Sequence, residues 1–312
     1  MAGDDMRYRQ LGESGLTVSV IGLGANNFGG RIGLEGTRKV VDAAIDSGVT
    51  LIDTADIYGN QGGSEELLGR VLAGRREQVV LGTKFGMDMG DGVLARGSRT
   101  YIRRAVEASL RRLQTDYLDL YQYHQPDGIT PLEETLATLD ALVAEGKVRY
   151  IGSSNFAGWQ IADADWIARS RHQARFVSAQ NHYSLLERDV EAEIIPSCVH
   201  HGIGMLPYFP LASGLLTGKY RRGQAPPQGT RLSGRASELT DEVFDKLDAL
   251  ERFGEKHGRT LLDVAVAGMA AMPAVTSVIA GATRPEQVRA NVAAGGWELS
   301  AAELAELRSV LS

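Results

Sequence analysis

Short apolar, β-branched runs alternate along the chain with longer stretches in which apolar residues recur at helical spacing. Residues 51–53, 79–84, 117–124 and 148–153 are nearly continuous in apolar character, the pattern of strands buried on both faces. Residues 176–180, 203–208 and 276–281 continue the series and residues 21–25 precede it, so eight strands are predicted. Helical patterns fall between them, at residues 36–47, 64–72, 100–113, 131–145, 157–169, 188–200, 261–272 and 285–293. Pro131 and Pro285 stand where helices would begin, and Gly48, Gly146 and Gly202 where helices would end.

Eight such alternations without a polar linker or a break in composition predict an α/β fold, a single (β/α)8 TIM barrel spanning residues 1–312 as one domain. The rival is a doubly wound dinucleotide fold, which needs G-x-G-x-x-G after its first strand. Here Gly22 and Gly24 are followed by Asn27 where the third glycine belongs, so that fingerprint is absent. Two additions lie outside the barrel. Residues before about Val20 read as an N-terminal β-hairpin, and a long insertion runs between strands seven and eight, from Pro210 to Gly258. The insertion holds a Gly/Pro/Arg-rich loop, 218–234, then a polar helix, 240–257; that helix and the charged stretch 221–238 are expected to be solvated surface. A loop of that length inside a compact domain is expected to cover a ligand. A short helix, 301–311, ends the pattern.

Composition narrows the function. The 312 residues carry 33 Lys+Arg against 39 Asp+Glu, a net charge of −6, which gives no clustered basic footprint for nucleic acid or an anionic membrane. No run approaches the ~18 apolar residues of a membrane span, and residues 1–7 hold no apolar targeting core. The one cysteine, Cys198, lies in an apolar helical stretch and reads as a buried thiol; a cytoplasmic protein is expected. His182, His200 and His201 lack metal-ligand spacing and read as loop or helix-end residues, so no catalytic metal is expected.

Four candidate residues fall together at the C-terminal ends of the apolar strands. Asp53 ends the second strand, Lys84 the third and His124 the fourth, with Tyr58 in the loop after Asp53. In an α/β barrel that end carries the active site, so these side chains converge. The set suits proton transfer to a carbonyl oxygen. A free tyrosine, with its pKa near 10, is a poor acid at neutral pH, and the Lys84 ammonium would lower it. Asp53 would orient Lys84, and His124 could share the proton or polarise the same oxygen. Further along, Ser154 and Asn155 end strand five, Gln180 strand six, and Tyr208 and Phe209 strand seven, giving amides and aromatic planes suited to a nicotinamide. Gly281, Thr283 and Arg284 form a turn opening a helix, where backbone N–H groups and the helix dipole favour phosphate. Against this stands a barrel enzyme without redox chemistry, an isomerase or aldolase using Lys84 as a Schiff-base amine.

The segments Gly48–Gly59, Thr83–Phe85, Tyr123–His124, Gly152–Phe156, Ala179–Ser184, Tyr208–Tyr220 and Ile279–Asn291 form an ordered series that resembles the aldo-keto reductase superfamily along nearly the whole chain. The resemblance implies NAD(P)H-dependent reduction of an aldehyde or ketone, keto-sugars included. Tyr58 would be the general acid, tuned by Lys84 and Asp53 and aided by His124. Ser154, Asn155 and Gln180 would bind the nicotinamide carboxamide and Tyr208 would stack on its ring. Leu211, Gly214 and Leu215 match the segment over the pyrophosphate. Gly281, Thr283, Arg284, Gln287 and Asn291 match the 2′-phosphate and adenine end, which implies NADPH over NADH. Gly281 and Gln287 stand where many members carry lysine and arginine, which leaves Arg284 as the main cation. The same resemblance admits a regulatory subunit that binds NADP(H) and senses redox state. Substrate choice would fall to the loops 86–99 and 125–130 and to Asn26, Asn27 and Phe28. Trp159, at a helix start, reads as a packing residue.

Overall fold

A computed structural model describes residues 6–235 and 239–311; residues 1–5, 236–238 and 312 lie outside the described residues, including the end of the charged stretch 221–238 expected at the surface. An antiparallel hairpin of β1 (Tyr8–Gln10) and β2 (Thr17–Ser19) opens the described chain, as the sequence predicts. The strands β3 (Ile21–Gly24), β4 (Leu51–Asp53), β5 (Val80–Phe85), β6 (Leu118–Tyr123), β7 (Val148–Ser154), β8 (Phe176–Gln180), β9 (Gly204–Met205) and β10 (Val278–Gly281) follow. These eight form one parallel sheet in the order β10-β3-β4-β5-β6-β7-β8-β9. The sheet curls until its edges meet. Thr276 N–H donates to the Met205 carbonyl at 2.9 Å, and Ile279 N–H to the Pro207 carbonyl at 3.3 Å.

The last two strands are shorter than the apolar pattern implies. Pro207 has no N–H to give a ladder, so β9 stops at Met205. Pairing continues beyond it through single bonds, Leu206 N–H to Ala179 and Tyr208 N–H to Asn181.

The helices are α1 (Leu34–Asp46), α2 (Tyr58–Val71), α3 (Arg99–Leu113), α4 (Leu132–Ala144), α5 (Gly158–Ser170), α6 (Ile194–His201), α7 (Asp241–Lys256), α8 (Leu261–Ala270), α9 (Pro285–Gly295) and α10 (Ala301–Val310). Pro285 is the first helical residue of α9, whereas Pro131 sits one position earlier than expected, as the cap of α4. The predicted helix 188–200 divides into a single turn at Asp189–Glu191 and α6. Pro196 is tolerated only in a first turn, which places the start of α6 at Ile194. Gly202 ends α6 in the left-handed conformation, φ 66°, where glycine has no Cβ to clash.

The helix expected to be polar, α7, is amphipathic: Phe244, Leu247, Leu250 and Phe253 recur every third residue and are buried. Trp159 also departs from expectation, being 64% exposed on α5.

The core has two parts. Most apolar side chains lie between strands and helices. A smaller cluster fills the barrel, where Leu11, Leu16 and Val18 of the hairpin region meet Leu51, Leu120, Leu206 and Ile279. The hairpin thus plugs the N-terminal end. Towards the other end the interior turns polar, with Asp53, Lys84, Gln122, His124 and Gln180 all buried.

Candidate active site

The C-terminal strand ends open into a cavity of about 820 Å³ whose wall includes Asp53, Tyr58, His124, Asn155, Gln180 and Tyr208. β4 ends at Asp53, and the chain turns at once into α2, which Tyr58 begins. The first turn of α2 is left-handed, with positive φ at Gly59, Asn60, Gln61 and Gly62. Lys84, on the adjacent β5, lies behind the wall and is fully buried. Its ammonium donates to Asp53 Oδ2 at 2.6 Å and to the Thr54 carbonyl at 2.8 Å, and it lies 4.9 Å from the centre of the Tyr58 ring.

Burial pushes the Lys84 ammonium down, but Asp53 and the Tyr58 hydroxyl outweigh it and the net direction is upward. Tyr58 corrects a sequence expectation. Lys84 does pull its pKa down, yet burial of the hydroxyl acts more strongly and the net shift is upward. The residue as a whole is only half-buried, and its ring faces Lys84 and His124.

His124 follows β6 and meets Tyr58 edge-on, with ring centroids 5.9 Å apart. Burial, and secondarily Lys84, push its pKa down to about 3. Its imidazole is therefore neutral at pH 7, so whatever it gives the proton step it gives as a neutral hydrogen-bonding group. Nδ1 is buried without a hydrogen-bond partner.

The amide residues are linked to one another. Asn155, at φ 57°, donates from Nδ2 to the His124 carbonyl at 3.0 Å, and its Oδ1 accepts from the Tyr208 hydroxyl at 2.9 Å. Gln180 donates from Nε2 to Asp53 Oδ1 at 2.9 Å. Ser154 is fully buried and does not reach the cavity wall, against expectation; its Oγ accepts from Asn155 Nδ2 at 3.3 Å. His182, read in sequence as a loop residue, stacks on Tyr208 with centroids 5.4 Å apart and planes within 5°. One face of Tyr208 is thereby covered by His182.

The cavity lining also includes Phe209, Leu211, Gly214, Gly281, Thr283, Arg284, Gln287 and Asn291. Gln287 Oε1 accepts from both the N–H and the hydroxyl of Thr283, at 2.8 and 3.1 Å, which fixes the turn before α9. Leu215 instead faces a neighbouring cleft beside His182 and Leu186.

Sequence reasoning took Arg284 as the main cation, and the structure adds Arg31, Lys219 and Arg231 to the same wall. Burial pushes the Lys219 ammonium down, and the neighbouring charges Arg31, Arg231 and Arg284 push it the same way. The insertion also crosses the cavity: Arg31 donates to the Gly229 carbonyl at 2.8 Å, and Arg231 reaches Asn26 and Asn27 at 3.3 and 3.2 Å. The signal for Lys219 and Arg231 in sequence is a concentration of basic residues in the glycine-rich loop of an acidic chain; Arg31 has none. Among the described residues no group of three His, Cys, Asp or Glu side chains could hold a metal ion.

A curled parallel sheet plugged at one end, with a buried lysine–carboxylate pair beneath a tyrosine at the other, defines a class of barrel oxidoreductases. Residues 20–312 match the aldo/keto reductase family, and the chain belongs to it. It is 40% identical to an uncharacterized oxidoreductase of Bacillus subtilis strain 168, YrpG, over 93% of this chain and 91% of that one. A probable voltage-gated potassium channel subunit beta of Arabidopsis thaliana is 36% identical over the same shares, 93% and 91%. The L-glyceraldehyde 3-phosphate reductase of Escherichia coli K12 is 33% identical over 97% of this chain and 91% of its own length.

Proposed function

We propose that the protein is an NADPH-dependent reductase of aldehydes or ketones, carried by one barrel unit, with Tyr58 as general acid. The observation that carries this reading is the Tyr58–Lys84–Asp53 arrangement: a tyrosine hydroxyl deep in the cavity beside an ammonium that Asp53 keeps charged. Lys84 stabilises the phenolate that forms when Tyr58 gives its proton to the carbonyl oxygen, and solvent protons restore it. His124 stays neutral, and a buried bare lone pair costs less than a buried orphan N–H, so its proton sits on Nε2. That N–H then orients the carbonyl oxygen for Tyr58.

The residues fit a dinucleotide phosphate. Four cations share one wall, which suits an anion carrying several phosphate charges. Lys219 lies against Gly214, where an added Cβ would collide with its Nζ, and takes the pyrophosphate. Arg284, heading α9, takes the 2′-phosphate and is the ground for NADPH over NADH. Asn155 and Gln180 hold the carboxamide, and the face of Tyr208 away from His182 receives the ring. The bound nicotinamide supplies the hydride to the carbonyl carbon.

Asn26, Asn27 and Gln125 on the same wall favour a small hydroxylated carbonyl compound, keto-sugars included. The buried Cys198 thiol, pushed up to about 12, suits a reducing cytoplasm. The identity with a channel subunit beta favours one second reading, an NADP(H)-binding redox sensor with little turnover.

Titrating the purified protein with NADPH and with NADH by fluorescence, then adding an aromatic aldehyde, separates the two. Tight NADPH binding with steady oxidation is expected. Binding without turnover would favour the sensor, and no binding of either nucleotide would sink both readings.

A further inference from the structure

Among the described residues, Lys84, Gln180 and Gln122 bond the Asp53 side chain, and the mechanism above does not use Gln122. It lies on β6, two residues before His124, and is fully buried. Its Nε2 donates to Asp53 Oδ1 at 3.1 Å, and its Oε1 accepts from Ser178 Oγ at 3.3 Å. Unlike Gln180, it does not reach the cavity wall. It therefore has no ligand to bind, and its two polar ends are spent inside the barrel.

We propose that Gln122 is a positioning residue, which holds Asp53 so that Oδ2 stays committed to Lys84 while Oδ1 stays on a buried amide. The proposal rests on the reductase reading above. A buried amide is costly unless paired, and here the pairing also sets its direction. The Ser178 hydroxyl donates to Oε1, which turns Nε2 towards the carboxylate. β7 makes room for this pair. A Cβ on Gly152 would overlap Ser178 Oγ and lie 3.1 Å from Gln122 Cγ. Gln180 also bonds Asp53 Oδ1, at 2.9 Å, but from the cavity wall, where a ligand competes for it. Gln122 is the donor that stays when Gln180 turns to the ligand.

The consequence is electrostatic. Amide donors draw part of the Asp53 charge away from Lys84 and Tyr58. Without them the carboxylate acts more strongly on the Tyr58 hydroxyl and makes it a weaker acid. The charged and titratable groups facing Tyr58 are Lys84, Asp53, Asp56, His124, Tyr208 and Arg231. Of these, only Asp53 is bonded to Gln122.

The test compares the intact protein with Gln122→Leu and Gln122→Glu. In Gln122→Leu, kcat for aldehyde reduction falls roughly tenfold, the scale of one hydrogen bond to a charged group. KM and the fluorescence-titrated Kd for NADPH stay within about twofold, because the residue touches neither ligand. The basic limb of the kcat–pH profile moves upward. Gln122→Glu keeps the shape and can donate to Asp53 only while protonated, so its turnover recovers at acid pH and is lost at a pH where the wild type is still active.

A wild-type pH profile in both variants, with the parent active, overturns the proposal alone. Parallel loss of NADPH binding and turnover with lowered thermal stability would mark Gln122 as structural only and overturn it as well. A parent that binds NADPH but reduces no carbonyl overturns the reductase reading, and this proposal falls with it.

Discussion

The Lys84 ammonium and the Asp53 carboxylate, from the neighbouring strands β5 and β4, meet at 2.6 Å with side chains 0% and 4% exposed. Two consequences follow. Lys84 is held as an ammonium, its pKa directed upward, so it is a poor Schiff-base nucleophile, which weighs against an aldolase-type reaction. The pair is also an energetic commitment, since neither charge is stable there alone.

Replacing Lys84 by Met is expected to leave Asp53 buried without its cation and to cost about 3–5 kcal/mol. Urea unfolding at pH 7 measures it. The double change Asp53→Asn with Lys84→Met should recover part of the loss. A single variant as stable as the parent would show that the pair is not the anchor its geometry implies.

Tyr58→Phe removes the proton donor and keeps the ring. Carbonyl reduction is expected to fall by about 10²–10⁴-fold, the usual share of general acid catalysis. The NADPH titration should be nearly unchanged. Near-parental turnover would place the acid elsewhere.

His124 carries a pH prediction. Its folded pKa, about 3, lies below its ordinary value of 6.5. The unfolded chain therefore binds the proton first, so this contribution is fully present above pH 6.5 and is lost as pH falls towards 3. At pH 5 the loss is about 2 kcal/mol relative to pH 7. Unfolding curves at the two pH values, for the parent and for His124→Gln, test this. An equal pH dependence in both proteins would remove the assignment to His124.

Asp53, Lys84 and His124 were legible in the sequence because each ends an apolar run, and strand ends of a barrel converge. Tyr58 was legible only through its spacing from Asp53. Gln122 was missed because an amide within an apolar strand carries no charge to mark it, although its place two residues before His124 was a usable signal. Arg31, Lys219 and Arg231 were missed for another reason. They arrive from loops with no periodicity, and only the folded chain brings them to one wall. The direction of the Tyr58 shift was illegible because burial opposes and exceeds the effect of Lys84, whereas at His124 the two act the same way and burial sets the size. The fold itself was read from alternation; some boundaries moved at Pro131, Pro196 and Pro207, where an N–H is missing, and α2 begins at Tyr58 rather than at residue 64 because its left-handed first turn has no apolar periodicity.

The cations divide the cofactor's charge in a way that two variants separate. Arg284→Ala is expected to weaken NADPH binding by about 1.5–3 kcal/mol, a charge-assisted contact, with little effect on NADH. Lys219→Ala, beside Gly214, should weaken both nucleotides alike, because the pyrophosphate is common to them. Competitive fluorescence titrations give all four constants. Equal losses for both nucleotides in Arg284→Ala would remove it from the 2′-phosphate.

Gly152 and Gly30 give the last prediction. At Gly152 an added Cβ would overlap Ser178 Oγ and press on Gln122, both fully buried, while at Gly30 it would meet nothing within 4 Å. Neither glycine is in the left-handed region, so the contrast isolates space from backbone strain. Gly152→Ala is expected to cost about 1–3 kcal/mol by overpacking. It should also lower kcat more than it raises KM, because the displaced group is the Gln122 amide that holds Asp53. Gly30→Ala should be neutral or slightly stabilising through the unfolded chain. Thermal unfolding and steady-state kinetics of the two variants decide this. A harmless Gly152→Ala would mean that Ser178 turns away without disturbing Gln122, and that the packing between β7 and β8 is looser than the contacts show.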